Sequence, residues 1–342
     1  MCIRCQNTKP ATVRGQFGFQ AGKRVVGVFK CRFGVNQIPK LLFCIAVNEI
    51  TFHTSRSAEK GIFSILIPSW NNLSYLKTCI DSIRKNSSHP HQIIVHVNEG
   101  SDGTLEWVRE QGLDHTHSSQ NVGVCYGFNA PSSLARTEFI LLSDDDFYFA
   151  PGWDDALLEE AKLVKDQTFC ISGTMFEHTV SRNTCALAPF NFGKTTDAFD
   201  EKRFLSEYAR VSFHDWSGSN WYPLLLKRSM WNLIGGLSTE FSPGMGSDPD
   251  MMMKLWHAGV RYYKGVSRSR VYHFGSKTTA RIVRNNANRQ FLEKWGMSIS
   301  TFYKYYLRMG KTFEGESPEP AITGKFKARL LRDKVKKKIG LS

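Results

Sequence analysis

The sequence predicts an α/β protein with a mainly parallel central sheet flanked by helices. Two observations carry that expectation. From Phe63 onward, short apolar strands alternate with helical stretches, the pattern of parallel strands joined by crossover helices. Three of those strands run into polar clusters, as expected where carboxyl ends of parallel strands meet a ligand crevice.

Taken in order, Ser64-Ile65-Leu66-Ile67-Pro68 reads as a short buried strand, and Tyr75 to Lys85 as a helix that Asn72 or Ser74 can cap. Gln92 to Val97 is a second strand, and Asp102-Gly103-Thr104 opens a helix through Glu110. Val122 to Ala135 reads as helical, Phe139-Ile140-Leu141-Leu142 as a buried strand, and Pro151-Gly152 leads into a helix from Trp153 to Val164. The second half is more mixed. Cys170-Ile171-Ser172, Tyr222 to Leu226, Arg261-Tyr262-Tyr263 and Arg270 to His273 are strand-like. Ser229 to Leu233 suggests a short helix ended by Gly235-Gly236, and Pro249 to His257 a longer one with Asp248 at its start. Residues 281–309 read as helical, broken near Gly296.

A hydrophobic content of 41% over 342 residues supports a full core and excludes wholesale disorder. The eight cysteines form no framework of short spacings, which favours free thiols in a reducing compartment. Cys2-x-x-Cys5 with Cys31 or Cys44 offers zinc-ligand types but lacks a second close pair. The net charge of +14 suggests nucleic acid until it is divided. Residues 1–60 carry ten Lys and Arg against two acidic residues, residues 325–342 eight against one, and the body between them 27 against 28. Specific nucleic-acid binding is therefore not expected, and the basic ends suit an anionic surface such as a membrane leaflet.

No run approaches the ~20 apolar residues of a membrane span; Leu41 to Val47 is only seven long. The start lacks the charged, apolar, small-residue order of a signal peptide. The reading is a cytoplasmic protein, with the inner face of a membrane as its candidate surface. The expected divisions are a basic extension over 1–60, a body over 61–312, and a linker with a basic amphipathic tail over 313–342. In that tail Phe326, Leu330, Leu331, Val335 and Ile339 fall at helical spacing; the plain alternative is a solvated segment.

Chemistry is concentrated at the three strand ends: Pro68-Ser69-Trp70-Asn71-Asn72, Asn98-Glu99-Gly100-Ser101-Asp102-Gly103 and Ser143-Asp144-Asp145-Asp146. Three adjacent carboxylates repel one another unless a cation sits among them. A hard divalent ion such as Mn or Mg, with a phosphorylated ligand completing its shell, would relieve that repulsion. Residues two apart in an extended segment point the same way. Asp146 is therefore assigned to the metal, and Asp144 to the metal through water or to the ligand's ribose, with Asp145 pointing oppositely. The plain alternative is that one Asp caps the following turn.

The order of these motifs resembles the family 2 glycosyltransferases, which use the GT-A fold. The family's P-x-[YW]-N pattern appears as Pro68-Ser69-Trp70-Asn71, and its D-x-G-S-x-D-G-T pattern, one residue shorter, as Asn98 to Thr104. Its N-x-G element is Asn121-Val122-Gly123, and its D-x-D signature falls on Asp144-Asp145-Asp146. Its G-G-[FL] turn is Gly235-Gly236-Leu237, its E-D-x-D is Ser247-Asp248-Pro249-Asp250, and its final histidine matches His273. The resemblance covers residues 62–296.

It implies a GT-A type fold with a Rossmann-like nucleotide-binding half and an acceptor-binding half. The implied activity is inverting, metal-assisted transfer of a sugar from a nucleotide-sugar donor to a glycan or glycolipid acceptor. Donor contacts would come from Pro68, Trp70, Asn71, Asn98, Glu99, Asn121, Gly123, Asp144 and Asp145, and the metal ligands would be Asp146, Asp144 and His273. Asp248 takes the family's base position, with Asp250 as runner-up; Asp248 at a helix start is also a candidate N-cap. Lys277 and Arg281 follow His273, placed either to neutralise a diphosphate or as surface charge. Asn98 stands where many members carry an Asp against the donor base, with Glu99 beside it as a substitute, and Ser247 replaces the usual Glu before Asp248. Two other readings are weighed: a non-catalytic glycan- or nucleotide-binding relative, and a sugar-phosphate nucleotidyltransferase. The second needs a Gly-rich basic loop after the first strand, and Pro68 to Asn72 contains no Gly, Lys or Arg.

Overall fold

The computed structural model describes residues 49–55, 61–164, 168–180, 183–276, 281 and 283–341. The cysteine cluster of Cys2, Cys5, Cys31 and Cys44, most of the basic extension, and Lys277 lie outside the described residues.

The strands are β1 (Ile50–His53), β2 (Phe63–Trp70), β3 (Gln92–Asn98), β4 (Asp114–Ser118), β5 (Phe139–Leu142), β6 (Phe147–Phe149), β7 (Phe169–Glu177), β8 (Trp216–Ser217), β9 (Leu224–Lys227) and β10 (Tyr262–His273). They form one mixed sheet in the order β1-β4-β3-β2-β5-β9-β7-β10-β6, with β8 on β10. Strands β4, β3, β2 and β5 are mutually parallel. Strand β9 lies antiparallel between β5 and β7, and β7 is parallel to β10. Six strands therefore point one way, and the carboxyl ends of β2, β3, β5, β7 and β10 meet along one edge. The sheet is mainly parallel, as expected.

The helices are α1 (Leu73–Asn86), α2 (Thr104–Glu110), α3 (Gly123–Ser132), α4 (Trp153–Leu163), α5 (Glu201–Glu207), α6 (Arg228–Ile234), α7 (Ser247–His257), α8 (Ala287–Trp295), α9 (Ile299–Tyr305) and α10 (Gly324–Lys338). Strand β2 shows why the sheet is covered on both faces. Phe63, Ile65 and Ile67 pack with Leu76 and Ile80 of α1, while Leu66 joins Phe128 of α3 in a second core. Each such side chain contributes about 1.5–3 kcal/mol when fully buried. Pro68 is tolerated in this central strand because its missing N–H faces the side where β5 has ended. The last bond there, Ser143 N–H to the Leu66 carbonyl, lies two residues earlier.

Several elements depart from the sequence expectation. Strands 261–263 and 270–273 are one strand, β10, whose pairing with β7 shifts register between Gly265 and Arg270. Strand β4 (Asp-His-Thr-His-Ser) has no apolar run, yet it is nearly all buried. Its polar side chains are held inside the sheet, as where Thr116 Oγ1 meets His96 Nδ1 at 2.7 Å. Strand β6 is only three residues long and reverses the chain immediately after the Asp triplet.

Cys79, Cys125, Cys170 and Cys185 are buried and unpaired. Among the described residues no helix is long and apolar enough to cross a membrane.

Candidate active site

The strand ends enclose a cleft of about 490 Å³. It is lined by Pro68, Trp70, Asn98, Asn121, Gly123, Asp144, Asp145, Asp146, Tyr222, Asp248 and His273, among others.

The metal-type cluster follows from topology. The antiparallel pairing of β6 with β10 sets Phe147 opposite His273, and Phe274 N–H donates to the Asp146 carbonyl at 3.1 Å. That register sets His273 beside Asp146. One ligand atom from each of Asp144, Asp146 and His273 falls within 4.8 Å of the others. His273 Nε2 lies 3.6 Å from Asp146 Oδ2, and its Nδ1 lies 3.7 Å from Glu177 Oε1 at the end of β7. Asp146 Oδ2 also accepts the Ser276 N–H at 2.6 Å. Asp145 points the other way, and its Oδ1 accepts from Asn72 Nδ2 at 3.0 Å.

Electrostatics separate the three carboxylates. Burial, then the Asp146 charge, pushes Asp144 well above the usual carboxylate range. Burial and Asp146 likewise raise Asp145 to about 7. Burial also opposes ionisation of Asp146, but His273 and the Ser276 bonds outweigh it and hold Asp146 below its ordinary value. For His273, burial pulls downward while Asp146 and Glu177 raise it to about 10. Two carboxylates and an imidazole form a donor set suited to a divalent cation. Their ligand atoms converge within 4.8 Å of one another, so the residues fit such an ion.

The donor-side residues divide. Asn71 and Glu99 both hold positive φ, at 46° and 61°. Their side chains bond each other, Asn71 Nδ2 to Glu99 Oε2 at 3.0 Å, and Asn71 Oδ1 accepts the Ser101 N–H at 2.9 Å. They clamp the ends of β2 and β3 together and do not line the cleft itself. Asn98 is buried, and its Oδ1 accepts from the Val122 N–H at 2.9 Å. Asn121 Oδ1 accepts the Gly123 N–H at 2.9 Å. Gly123 is required here: φ is +80°, and an added Cβ would lie 2.9 Å from the Pro243 backbone. At the rim the Arg281 guanidinium stacks over the Trp70 ring at 4.2 Å and donates to the Trp70 carbonyl at 2.6 Å.

Asp248 and Asp250 part company. Helix α7 begins after Gly246 in the left-handed conformation, so Asp248 makes no side-chain cap. Pro249 in the first turn lacks only an N–H that would have had no partner within the helix. Asp248 faces the cleft, where its Oδ1 accepts from the Tyr222 hydroxyl at 2.6 Å. Burial raises it to about 6, with the Tyr222 bond pulling the other way. Asp250 is fully buried and does not line the cleft. Its carboxylate takes Ser238 Oγ at 2.5 Å, Trp295 Nε1 at 2.8 Å and Lys294 Nζ at 2.8 Å. The runner-up role for Asp250 is corrected on this ground: its oxygens join α7 to α8.

Sequence reading did not assign Glu177, Ser276 or Tyr222 to the site, and it placed Asn72 only within the first strand-end cluster or as a helix cap. Of the aromatic residues in the second half, Trp216, Trp231 and Trp256 are core, whereas Trp221 and Tyr222 line the cleft.

Residues 64–211 match the family model described as glycosyl transferase family 2. The match covers somewhat under half of the chain, and the mixed α/β sheet is mainly parallel, as expected. The chain is similar to EpsH of Bacillus subtilis (strain 168), 28% identical over 126 residues, covering 35% of this chain and 36% of that protein. It is also similar to the hyaluronan synthase of Pasteurella multocida, 22% identical over 254 residues, covering 71% of this chain and 24% of that protein. The chain thus spans about a quarter to a third of the relatives it matches. Among solved structures, S. aureus TarS 1-349 in complex with UDP-GlcNAc aligns with a TM-score of 0.47 at 13% identity, covering 82% of this chain and 73% of that one.

Proposed function

We propose that the chain transfers a sugar from a nucleotide-sugar donor to a hydroxyl of a glycan or glycolipid acceptor, with inversion at the anomeric carbon. One observation carries the reading: the Asp144, Asp146 and His273 cluster and the Asp248 carboxylate line the same cleft. The family 2 match over residues 64–211 and the likeness to a hyaluronan synthase support a glycan acceptor.

Asp146, Asp144 and His273 would hold a divalent cation, which when bound supplies positive charge to the departing diphosphate. Glu177, across the imidazole, orients His273 and fixes its tautomer. Asn98 and Asn121 hold the 121–123 turn against the donor side of the cleft, and the Asn71–Glu99 pair ties the ends of β2 and β3 together. Asp248 takes the proton from the acceptor hydroxyl; a base held near 6 is ionised at neutral pH and still basic enough to work. Tyr222 donates to that carboxylate and keeps it aimed.

A thermal-shift screen of nucleotide sugars with and without Mn²⁺ tests this. One donor should raise the melting temperature only when the ion is present, and Asp146→Ala should abolish the shift. A shift that ignores the ion, or survives Asp146→Ala, overturns the metal assignment. The anomeric configuration of the product, read by NMR, decides inversion.

A further inference from the structure

Helix α10 has two faces, and among the described residues only one is packed against the rest of the protein. On the inner face Phe326 and Asp333 are buried. Asp333 Oδ2 accepts from Ser298 N–H at 2.9 Å and Thr301 Oγ1 at 2.5 Å, and Lys337 Nζ donates to the Glu293 carbonyl at 2.8 Å. These bonds fix α10 to α8, α9 and the turn between them. The outer face carries Leu331, Val335 and Ile339, which are 63%, 49% and 60% exposed. They sit four residues apart on one stripe. At 3.6 residues per turn that stripe lies diametrically opposite Phe326 and Asp333.

The charges are arranged about the same stripe. Lys327, Lys334 and Lys338 fall along one flank, and Lys325, Arg332 and Lys336 along the other. The helix's single carboxylate, Asp333, is the buried one. An apolar ridge between two rows of cations, with no exposed anion, is complementary to an anionic lipid leaflet. The ridge enters the headgroup boundary while lysine stems reach up to the phosphates.

We propose that α10 seats the protein on an anionic membrane surface. Its body-facing bonds then hold the rest of the molecule in one orientation on the bilayer. Through α8, whose Trp295 donates to Asp250, that orientation is transmitted to the helix carrying Asp248.

The test is co-sedimentation of the full chain with vesicles of phosphatidylcholine alone and of phosphatidylcholine mixed with phosphatidylglycerol. Pelleting is expected only with the anionic vesicles, and it should weaken as salt is raised. The double variant Leu331→Glu/Val335→Glu and the double variant Lys334→Glu/Lys338→Glu should each bind about tenfold more weakly or worse. All four side chains are exposed, so unchanged thermal unfolding should accompany both. The proposal is overturned if the parent stays in the supernatant with anionic vesicles, or if both variants pellet as the parent does. A dimer in sedimentation velocity that the leucine–valine variant converts to monomer assigns the stripe to a second copy, and also overturns it. The readout is pelleting, so the result is independent of whether the transferase reading holds.

Discussion

The Tyr222 hydroxyl donates to Asp248 Oδ1 at 2.6 Å. The two residues lie 26 apart in sequence, Tyr222 just before β9 and Asp248 in the first turn of α7. The bond favours the ionised carboxylate, and burial opposes it. With the balance at about 6, the proposed base is lost to protonation as pH falls. Below that value kcat/KM should fall about tenfold per pH unit. Tyr222→Phe removes the contribution that lowers the pKa, so the acid limb of the profile should move to higher pH. An unmoved limb would show that another group titrates there.

Asp248→Asn keeps the shape of the residue and removes its basicity. Transfer should drop by about 10²–10⁴-fold. The metal-dependent thermal shift with donor should persist, because Asp144, Asp146 and His273 are untouched. Normal transfer by this variant removes Asp248 as the base; loss of donor binding along with activity would make it a donor contact instead.

Glu177 touches the imidazole of His273 from the side opposite Asp146. Its role in the proposed site is to position that ring. Glu177→Gln should weaken Mn²⁺ affinity by about 10–100-fold, measured by calorimetry, while kcat at saturating Mn²⁺ recovers most of the parent value. A kcat that stays low at saturating metal would place Glu177 in the chemistry rather than behind the ligand.

Much of the first half of the body was legible because its information is local. Apolar runs such as Phe139 to Leu142 announce buried strands, and strand alternation separates Asp145 from Asp144 and Asp146. What escaped depends on pairing between distant segments. Strand β4 lacks an apolar signal because Thr116 and Ser118 are satisfied by His96 and Asn98 of β3, a neighbour the local pattern does not show. Glu177 ends a strand that was legible only over Cys170 to Ser172, so its approach to His273 required the β7–β10 register. Asp248 and Asp250 were separable in principle. Residues two apart on a helix point to nearly opposite sides, so only one of them can face a cleft.

That separation gives Asp250 a different signature from Asp248. Its carboxylate is buried against Lys294, Trp295 and Ser238, and Lys294 remains partly exposed with Glu240 as a second partner. Asp250→Asn removes the charge but keeps the volume and one acceptor oxygen. The expected loss is about 1–3 kcal/mol of stability, or about 2–4 °C in Tm for each kcal/mol in a domain of this size. Because the side chain does not reach the cleft, kcat/KM measured well below Tm should stay within about twofold of the parent, a difference of roughly 0.4 kcal/mol. A variant with parent-like Tm but strongly reduced transfer would return Asp250 to the active site. It would also imply that α7 rotates when substrate binds, since in the present packing its bonds to α8 turn it away.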